Sequence, residues 1–397
     1  MHLMLIADGR SPITRAWLRM LRPLGWRLTL VSTYPCSAPA EVEHFEVLPV
    51  AFGAAGGVSP TGQGRAAFRK HLRQPLQRLR YWLGPLTLGV YAPRLRQLVH
   101  RLQPEVIHAL RIPYEGMLAT YAPPEAPLVL SIWGNDLTLH ARGSPWMARL
   151  TRRALRRAAA LMTDCRRDRD LAYWWGFDSG KPSLVVPGNG GLDLERLPTL
   201  RTRLGEPWAT RLEGDEARWV LNPRGIRQYV LSDVFFQVIP LVRERLPEVR
   251  FLCPGMAGQP QAETWVRRLR LDETVVLLPT LPQGQLWDLF ARAPVMISLA
   301  THDGTPNTLL EAMAWGCFPV LGDLQSLREW VTPGVNGLLV DWRRPQSIAE
   351  ALVLALEMPD LRQHAAEINR ALIRERAEVN QVRRQMQEFF PQFCDSG

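Results

Sequence analysis

Short apolar runs alternate with helix-length amphipathic stretches along almost the whole chain, and this alternation most narrows what the chain can fold into. A brief run of aliphatic and β-branched residues reads as a buried strand. When a helical stretch separates each run from the next, the strands lie parallel, joined by crossover helices. In the first half the runs are 2–7, 28–32, 46–51, 106–109, 128–133 and 160–163. In the second they are 218–221, 249–253, 275–278, 295–299, 318–321 and 337–340, with helical patterns at 233–245, 262–270 and 284–292. The chain is therefore α/β. At 397 residues it is too long for one ordinary core, so two doubly wound domains of about 200 residues each are expected. Two such domains facing each other would enclose a cleft at the carboxyl ends of both sheets.

Composition limits the classes of function. The chain is 46% hydrophobic and 22% charged, an ordinary globular make-up. Its five cysteines, Cys36, Cys165, Cys253, Cys317 and Cys394, are scattered and form no CxxC. That argues for a reducing compartment and against a disulfide framework or zinc site. The opening MHLMLIADGRS reads as a first strand, not a leader. No apolar run approaches the roughly 20 residues that span a bilayer, so a cytoplasmic location is expected. The net charge of +10 is uneven: residues 1–200 carry 26 Lys/Arg against 14 Asp/Glu, and residues 201–397 carry 22 against 24. Residues 51–100 hold eight basic residues and no acidic one. From Arg65 to Arg101 the cations are interleaved with Tyr81, Trp82, Leu83, Leu86 and Tyr91, a composition suited to an anionic membrane surface. No nucleic-acid motif accompanies the charge, so nucleic acid is not an expected partner.

The chemistry is concentrated in His302-Asp303-Gly304-Thr305-Pro306-Asn307-Thr308-Leu309-Leu310-Glu311 and the residues to Val320. A strand runs into a carboxylate, a Gly/Pro turn and a helix start, and a second carboxylate follows eight positions later. Asn307 is expected as the N-cap, leaving free N–H groups near Thr308, Leu309 and Leu310 for an anion, most naturally a phosphate. Asp303 and Glu311 would hold hydroxyls on either side of it. A nucleotide-sugar has this layout: ribose, diphosphate, hexose. An ordinary acidic helix start competes with this reading, because short motifs often recur by chance.

The run from Asp303 to Val320 resembles the Glu-x7-Glu signature of retaining glycosyltransferases of family 4, with Asp303 in place of the first Glu. The likeness continues to Glu329, Gly334, Asn336 and Gly337, where that family has its E-V-x-x-G-x-N-G segment, so it covers about fifty contiguous residues. The resemblance implies a GT-B fold of two Rossmann-like domains. It divides the chain into an acceptor-side domain at 1–195, a donor domain at 196–375 and a C-terminal helix at 376–397 returning to the first domain. The segment Pro187 to Asp193 resembles the family's hinge approach, and the helical pattern from Pro359 to Phe390 supplies the returning helix. The implied activity is transfer of a hexose from a nucleotide-sugar to a hydroxyl of a sugar or lipid-linked acceptor, with no cofactor. A metal is expected to be dispensable.

Further site residues follow from the same likeness. Arg224 ends the first strand of the second half, where a guanidinium can clamp a diphosphate. The family has Arg-x4-Lys here, and Tyr229 takes the Lys position, which leaves Arg227 as a candidate second cation. Together with Gly304, Thr305, Asn307, Thr308, Leu309 and Glu311 these form the expected donor site. In the first half, Trp133-Gly134-Asn135-Asp136 resembles the family's H-G-x-D segment. Trp133 replaces the His and offers a stacking face for a sugar, and Asp136 matches the Asp as a candidate catalytic carboxylate. Gly9, Thr14, Arg15 and His108 complete the expected acceptor side. Two other readings stay open: a nucleotide-sugar epimerase of the same fold, and a catalytically degenerate nucleotide-sugar-binding protein. The second follows from Asp303, Trp133 and Tyr229, which depart from the family's Glu, His and Lys.

Overall fold

The computed structural model describes residues 1–52, 79–212, 214–227 and 229–394. The chain divides into two compact units, one of Met1–Gly191 with Val382–Gly397 and one of Leu192–Gln381. The sequence reading draws its lines after residues 195 and 375.

The first unit holds seven parallel strands: β1 (His2–Ala7), β2 (Arg27–Ser32), β3 (His44–Val47), β4 (Val106–Ala109), β5 (Leu128–Ile132), β6 (Ala160–Thr163) and β7 (Ser183–Val185). Their order is β3-β2-β1-β4-β5-β6-β7. The second unit holds six: β8 (Trp219–Leu221), β9 (Arg250–Cys253), β10 (Val275–Leu277), β11 (Val295–Ser298), β12 (Phe318–Gly322) and β13 (Leu338–Val340), in the order β10-β9-β8-β11-β12-β13. All pairings between these strands are parallel. Strand order reverses between β1 and β4 in one sheet and between β8 and β11 in the other. At such switch points the crossover connections leave in opposite directions and open a crevice beyond the strand ends.

The strands are apolar on both sides because both sides are covered. In the second unit Val220, Phe251, Val295 and Ile297 join one core, while their strand neighbours Trp219, Leu221, Leu252 and Met296 join another. Alternate side chains of one strand thus enter opposite cores, which is why the runs read as continuous. Each large side chain so buried contributes about 1.5–3 kcal/mol.

Three expectations need correction. The strand expected at 46–51 is β3 at His44–Val47. Pro49 has no N–H to give a ladder, and Val50 N–H turns back to Leu48 C=O at 2.8 Å. The three-residue strand β7 was missed. The expected long C-terminal helix is two, Pro359–Arg376 and Val379–Phe389. Between them Ala377 C=O accepts Leu192 N–H at 2.7 Å, Val379 N–H reaches Leu192 C=O at 2.9 Å, and Glu378 Oε2 accepts the N–H of Asn380 and Gln381 at 2.8 and 3.0 Å. The Glu378 carboxylate caps the second helix and so starts it afresh. That helix begins in the second unit and ends in the first.

Candidate active site

At the switch point of the second unit, Arg224 lies just beyond β8 and Asp303 just beyond β11. Their side chains meet, Arg224 Nη2 donating to Asp303 Oδ2 at 2.5 Å. Arg224 is 6% exposed and the Asp303 side chain 16%. Arg224 Nη1 is 3.4 Å from Thr308 Oγ1 in the first turn of the helix Asn307–Trp315. The Arg224 main chain is fixed as well, its backbone N–H donating to Asn222 Oδ1 at 3.3 Å. Sequence placed Arg224 on a diphosphate and Asp303 on sugar hydroxyls; here each is the other's partner.

The helix start differs from expectation. Asn307 is the first helical residue, not the cap; the cap position is Pro306, extended at ψ 130°. Pro306 C=O accepts the N–H groups of both Leu309 and Leu310, at 2.9 and 3.4 Å. The helix-end donors without a partner among the described residues are therefore those of Asn307 and Thr308, one turn-position earlier than expected. Leu309 is a core residue. Gly304 and Thr305 are buried, and Thr305 Oγ1 accepts Trp330 Nε1–H at 2.9 Å, tying the loop to the sheet edge. Ser326 Oγ–H reaches Asp303 C=O at 2.8 Å, so the Asp303 loop is braced at its backbone.

Glu311 is buried, and Gln283 Nε2 donates to its Oε1 at 2.8 Å. Burial pushes its carboxyl up to about 7, with the Gln283 hydrogen bond pulling the other way. Gln283 was missed from sequence; it opens the helix Gln283–Arg292, and nothing in a lone amide marks it. Arg227 is exposed and Nη1 donates to Tyr229 OH at 3.1 Å. These two pair with each other, and no contact among the described residues joins them to Arg224 or Asp303.

The first unit has its own cavity, of about 550 Å³, formed by loops beyond β1, β2, β4 and β5. Thr14 and Trp133, two of the residues expected on the acceptor side, line it; Arg111, Tyr114 and Glu115 also line it and were missed. They follow the strand end Val106–Ala109 by two to six residues, so the strand-end rule that singled out His108 would have found them if carried further along the loop. His108 is fully buried, its Nε2 2.8 Å from Ser131 Oγ and its ring edge-on to Trp17 at 5.3 Å. Burial lowers it to about 3, so it is a neutral core residue. Arg15 is exposed on the helix Pro12–Leu21 and does not line the cavity. Gly9 packs where a Cβ would stand 2.6 Å from Cys36 Sγ, and its N–H donates to Ser32 Oγ at 3.1 Å, which accounts for the glycine by packing alone.

Asp136 does not reach the cavity. Its carboxylate accepts Arg111 Nη2 at 2.6 Å, Ile112 N–H at 3.2 Å and Trp133 N–H at 3.4 Å, and it is 1% exposed. Burial works against the Arg111 charge, and Asp136 and Glu115 more than offset it, so its pKa is raised. Glu115 accepts Thr33 Oγ1–H at 2.9 Å, and burial lifts its carboxyl to about 7 against the pull of Arg111.

Two parallel, doubly wound units, each with polar groups gathered at its switch point, define a GT-B protein. The solved structures agree: the chain superposes on Anabaena Alr3699/HepE, solved with UDP and glucose, with TM-score 0.70 over 99% of this chain and 100% of that one at 16% identity. Sucrose-phosphate synthase from Thermosynechococcus elongatus gives 0.75 over 100% of both chains at 14% identity. Among curated proteins, the GDP-mannose:cellobiosyl-diphosphopolyprenol alpha-mannosyltransferase of Xanthomonas campestris is 25% identical over 70% of this chain and 69% of its own. A D-inositol 3-phosphate glycosyltransferase of Corynebacterium urealyticum is 26% identical over 48% of this chain, which spans only 47% of that relative. Residues 221–372 match the family model "Glycosyl transferases group 1", and residues 8–188 match "Glycosyl transferase 4-like domain". The chain belongs to this family and is a glycosyltransferase.

Proposed function

We propose that the protein is a retaining glycosyltransferase that moves a hexose from a nucleotide-sugar to a hydroxyl of a sugar or lipid-linked sugar, in cell-surface polysaccharide or glycolipid synthesis. The observation that carries this reading is the arrangement at the β8/β11 switch point. A buried guanidinium, two helix N–H groups without a partner among the described residues and the Thr308 hydroxyl lie there, with the buried carboxyl of Glu311 three residues beyond Thr308 on the same helix.

On this reading the diphosphate takes Arg224 from Asp303 and accepts the N–H groups of Asn307 and Thr308, so that cation and helix dipole offset the charge on the leaving group. Asp303, released, accepts from sugar hydroxyls, and Glu311, ionised, from those of the ribose. The bond from the anomeric carbon to the leaving phosphate oxygen breaks. The bond to the acceptor oxygen forms on the same face, and the acceptor's proton passes to that phosphate oxygen. The positive charge comes from the chain's own groups, so we propose that transfer needs no metal. Among the described residues, one cluster has metal-ligand spacing, Asp164, Cys165 and Asp168, and there Arg167 Nη2 already holds Asp168 Oδ1 at 2.6 Å.

We place the reaction at the cytoplasmic face of a membrane. Residues 65–78 of the basic stretch lie outside the described ones. In the part that is described, Leu79, Trp82, Leu83, Leu86 and Val90 are exposed at helical spacing, and large apolar side chains beside cations suit an anionic bilayer surface. No helix among the described residues is long and apolar enough to cross a membrane.

The test is transfer from a labelled nucleotide-sugar, with the anomeric configuration of the product read by NMR and EDTA in a parallel reaction. Retention in both reactions supports the proposal. Inversion or loss with EDTA overturns the mechanism, and a sugar epimerised without acceptor supports the epimerase. The mutual pairing of Arg224 and Asp303 favours one other reading, a protein that binds without turnover, and binding with no transfer to any acceptor would support it.

A further inference from the structure

We infer that the cavity in the first unit is built for an acceptor that carries a phosphate ester, with Arg80 and Arg111 as its anion clamp. This rests on the glycosyltransferase reading only in calling the ligand an acceptor.

Two guanidinium groups line the cavity, and they stand in different surroundings. Arg111 is fixed: Asp136 holds its Nη2 at 2.6 Å, and its Nε is buried without a partner. Arg80 has no carboxylate partner among the described residues. Its Nη2 donates to Tyr34 OH, its guanidinium carbon lies 4.7 Å from the Tyr114 ring centre, and its Nε is also buried without a partner. The cavity's Asp8 is already paired with Arg10 at 3.1 Å. Its other acid, Glu115, is pushed up to about 7 by burial, so at pH 7 it carries only about half a charge. The unspent charge in the enclosure is therefore cationic, and the unspent donors are guanidinium N–H groups on two separate forks. Donors from two forks in one cavity suit the three oxygens of a phosphate better than the two of a carboxylate.

The rest of the lining fits the remainder of such a molecule. Tyr34, Tyr114 and Trp133 line the same cavity, and beside the faces taken by Arg10 at 3.7 Å on Tyr34 and Arg80 at 4.7 Å on Tyr114 they add aromatic surface suited to the C–H side of a sugar or polyol. Thr14 is 1% exposed and its hydroxyl makes no hydrogen bond, so a ligand hydroxyl would satisfy a group the chain leaves unsatisfied. The loop that presents Tyr114 and Glu115 is strained: Tyr114 has φ +70° and ψ −49°, rare for a residue with a side chain. The conformation persists because Tyr114 OH donates to Arg80 C=O at 2.8 Å and Gly116 N–H to Arg111 C=O at 2.9 Å. Strain held in place at a cavity wall is a mark of a ligand site.

The full-length protein is titrated calorimetrically with glucose 6-phosphate, with glucose, and with a short-chain prenyl-diphosphate glucose in detergent. Arg80→Ala, Arg80→Gln and Arg224→Ala are run beside the wild type, each checked for an unshifted melting temperature. The inference predicts that a phosphorylated probe binds at least tenfold tighter than glucose, and that both Arg80 variants lose this preference while Arg224→Ala keeps it. Which probe wins separates a soluble sugar phosphate from a lipid-linked one. Equal binding of glucose and the phosphorylated probes overturns the inference, as does a preference lost only in Arg224→Ala, which would put the phosphate in the other unit. Nucleotide binding in the same samples tests the glycosyltransferase reading separately, because it reports on Arg224 and not on Arg80.

Discussion

The two units solve the same geometric problem with the same pair of residue types and put it to different use. Each has an Arg–Asp pair beyond its strand ends: Arg111–Asp136 at 2.6 Å, after β4 and β5 and one strand from the switch point, and Arg224–Asp303 at 2.5 Å, across the β8/β11 switch point. In the first pair the carboxylate is sealed: Asp136 also accepts two backbone N–H groups, and its side chain is 0% exposed. The pair is a brace that fixes the Arg111 fork against the cavity. In the second pair the guanidinium is the buried member, the carboxylate keeps 16% of its surface, and a helix start with two free N–H groups stands alongside. An Arg–Asp pair is therefore a poor marker of function on its own. What separates a brace from a candidate site is which partner is saturated and what donors lie next to it.

The comparison can be broken most severely at Arg224. Arg224→Ala removes the guanidinium from the proposed leaving-group site, and the transfer rate should fall about 10²–10³-fold, in line with loss of one preorganised donor to a developing charge. Initial rates at saturating donor measure it; a fall under fivefold would make Arg224 no more than a second brace.

Next, the two carboxylates should respond oppositely to amidation. Asp136→Asn breaks a buried pair and should cost about 3 kcal/mol, the low end for such losses because Arg111 is partly solvated. In a unit of this size that lowers the melting temperature by about 6–12 °C. Asp303→Asn should leave melting nearly unmoved and lower transfer. If both variants melt alike, the distinction between brace and site is wrong.

Glu311 gives a smaller, pH-dependent effect. Its pKa is raised to about 7 by burial, so it is protonated below that pH and ionised above it. The ionised form is the one that accepts from ribose hydroxyls, so nucleotide affinity should fall by up to about tenfold as pH drops from 8 to 6. Glu311→Gln should bind weakly at both pH values. Calorimetry across that range decides it, and a pH-independent wild-type affinity would remove Glu311 from the ribose.

The smallest effect belongs to His108. His108→Gln keeps a partner for Ser131, and the residue lies in the core, so transfer should stay within about twofold of wild type. A large loss of rate without a loss of stability would return His108 to the acceptor side.

Most of the strand order was legible because a parallel sheet covered on both faces writes each strand as an unbroken apolar run, as at Val295–Ser298 and Phe318–Gly322. What failed was short or interrupted. Ser183–Val185 is three residues between prolines, and the Pro49 segment is apolar but cannot pair. At the site, Asp303, Arg224 and Glu311 were legible because they stand at fixed offsets from strand ends and one helix start. The N-cap was misplaced because Asn307 and Pro306 are both plausible boundaries, and the backbone angle at Pro306 decides between them. Gln283 and Arg80 were not legible, since each gains meaning only from a partner many residues away, Glu311 and Tyr34 respectively.

The most direct test of the central claim is calorimetric titration of wild type and Arg224→Ala with UDP, GDP and ADP and their glucose, mannose and N-acetylglucosamine conjugates, without added metal. One nucleotide series should bind wild type at sub-millimolar Kd, and Arg224→Ala should weaken it at least tenfold. No binding by any nucleotide, or equal binding by both proteins, would contradict it.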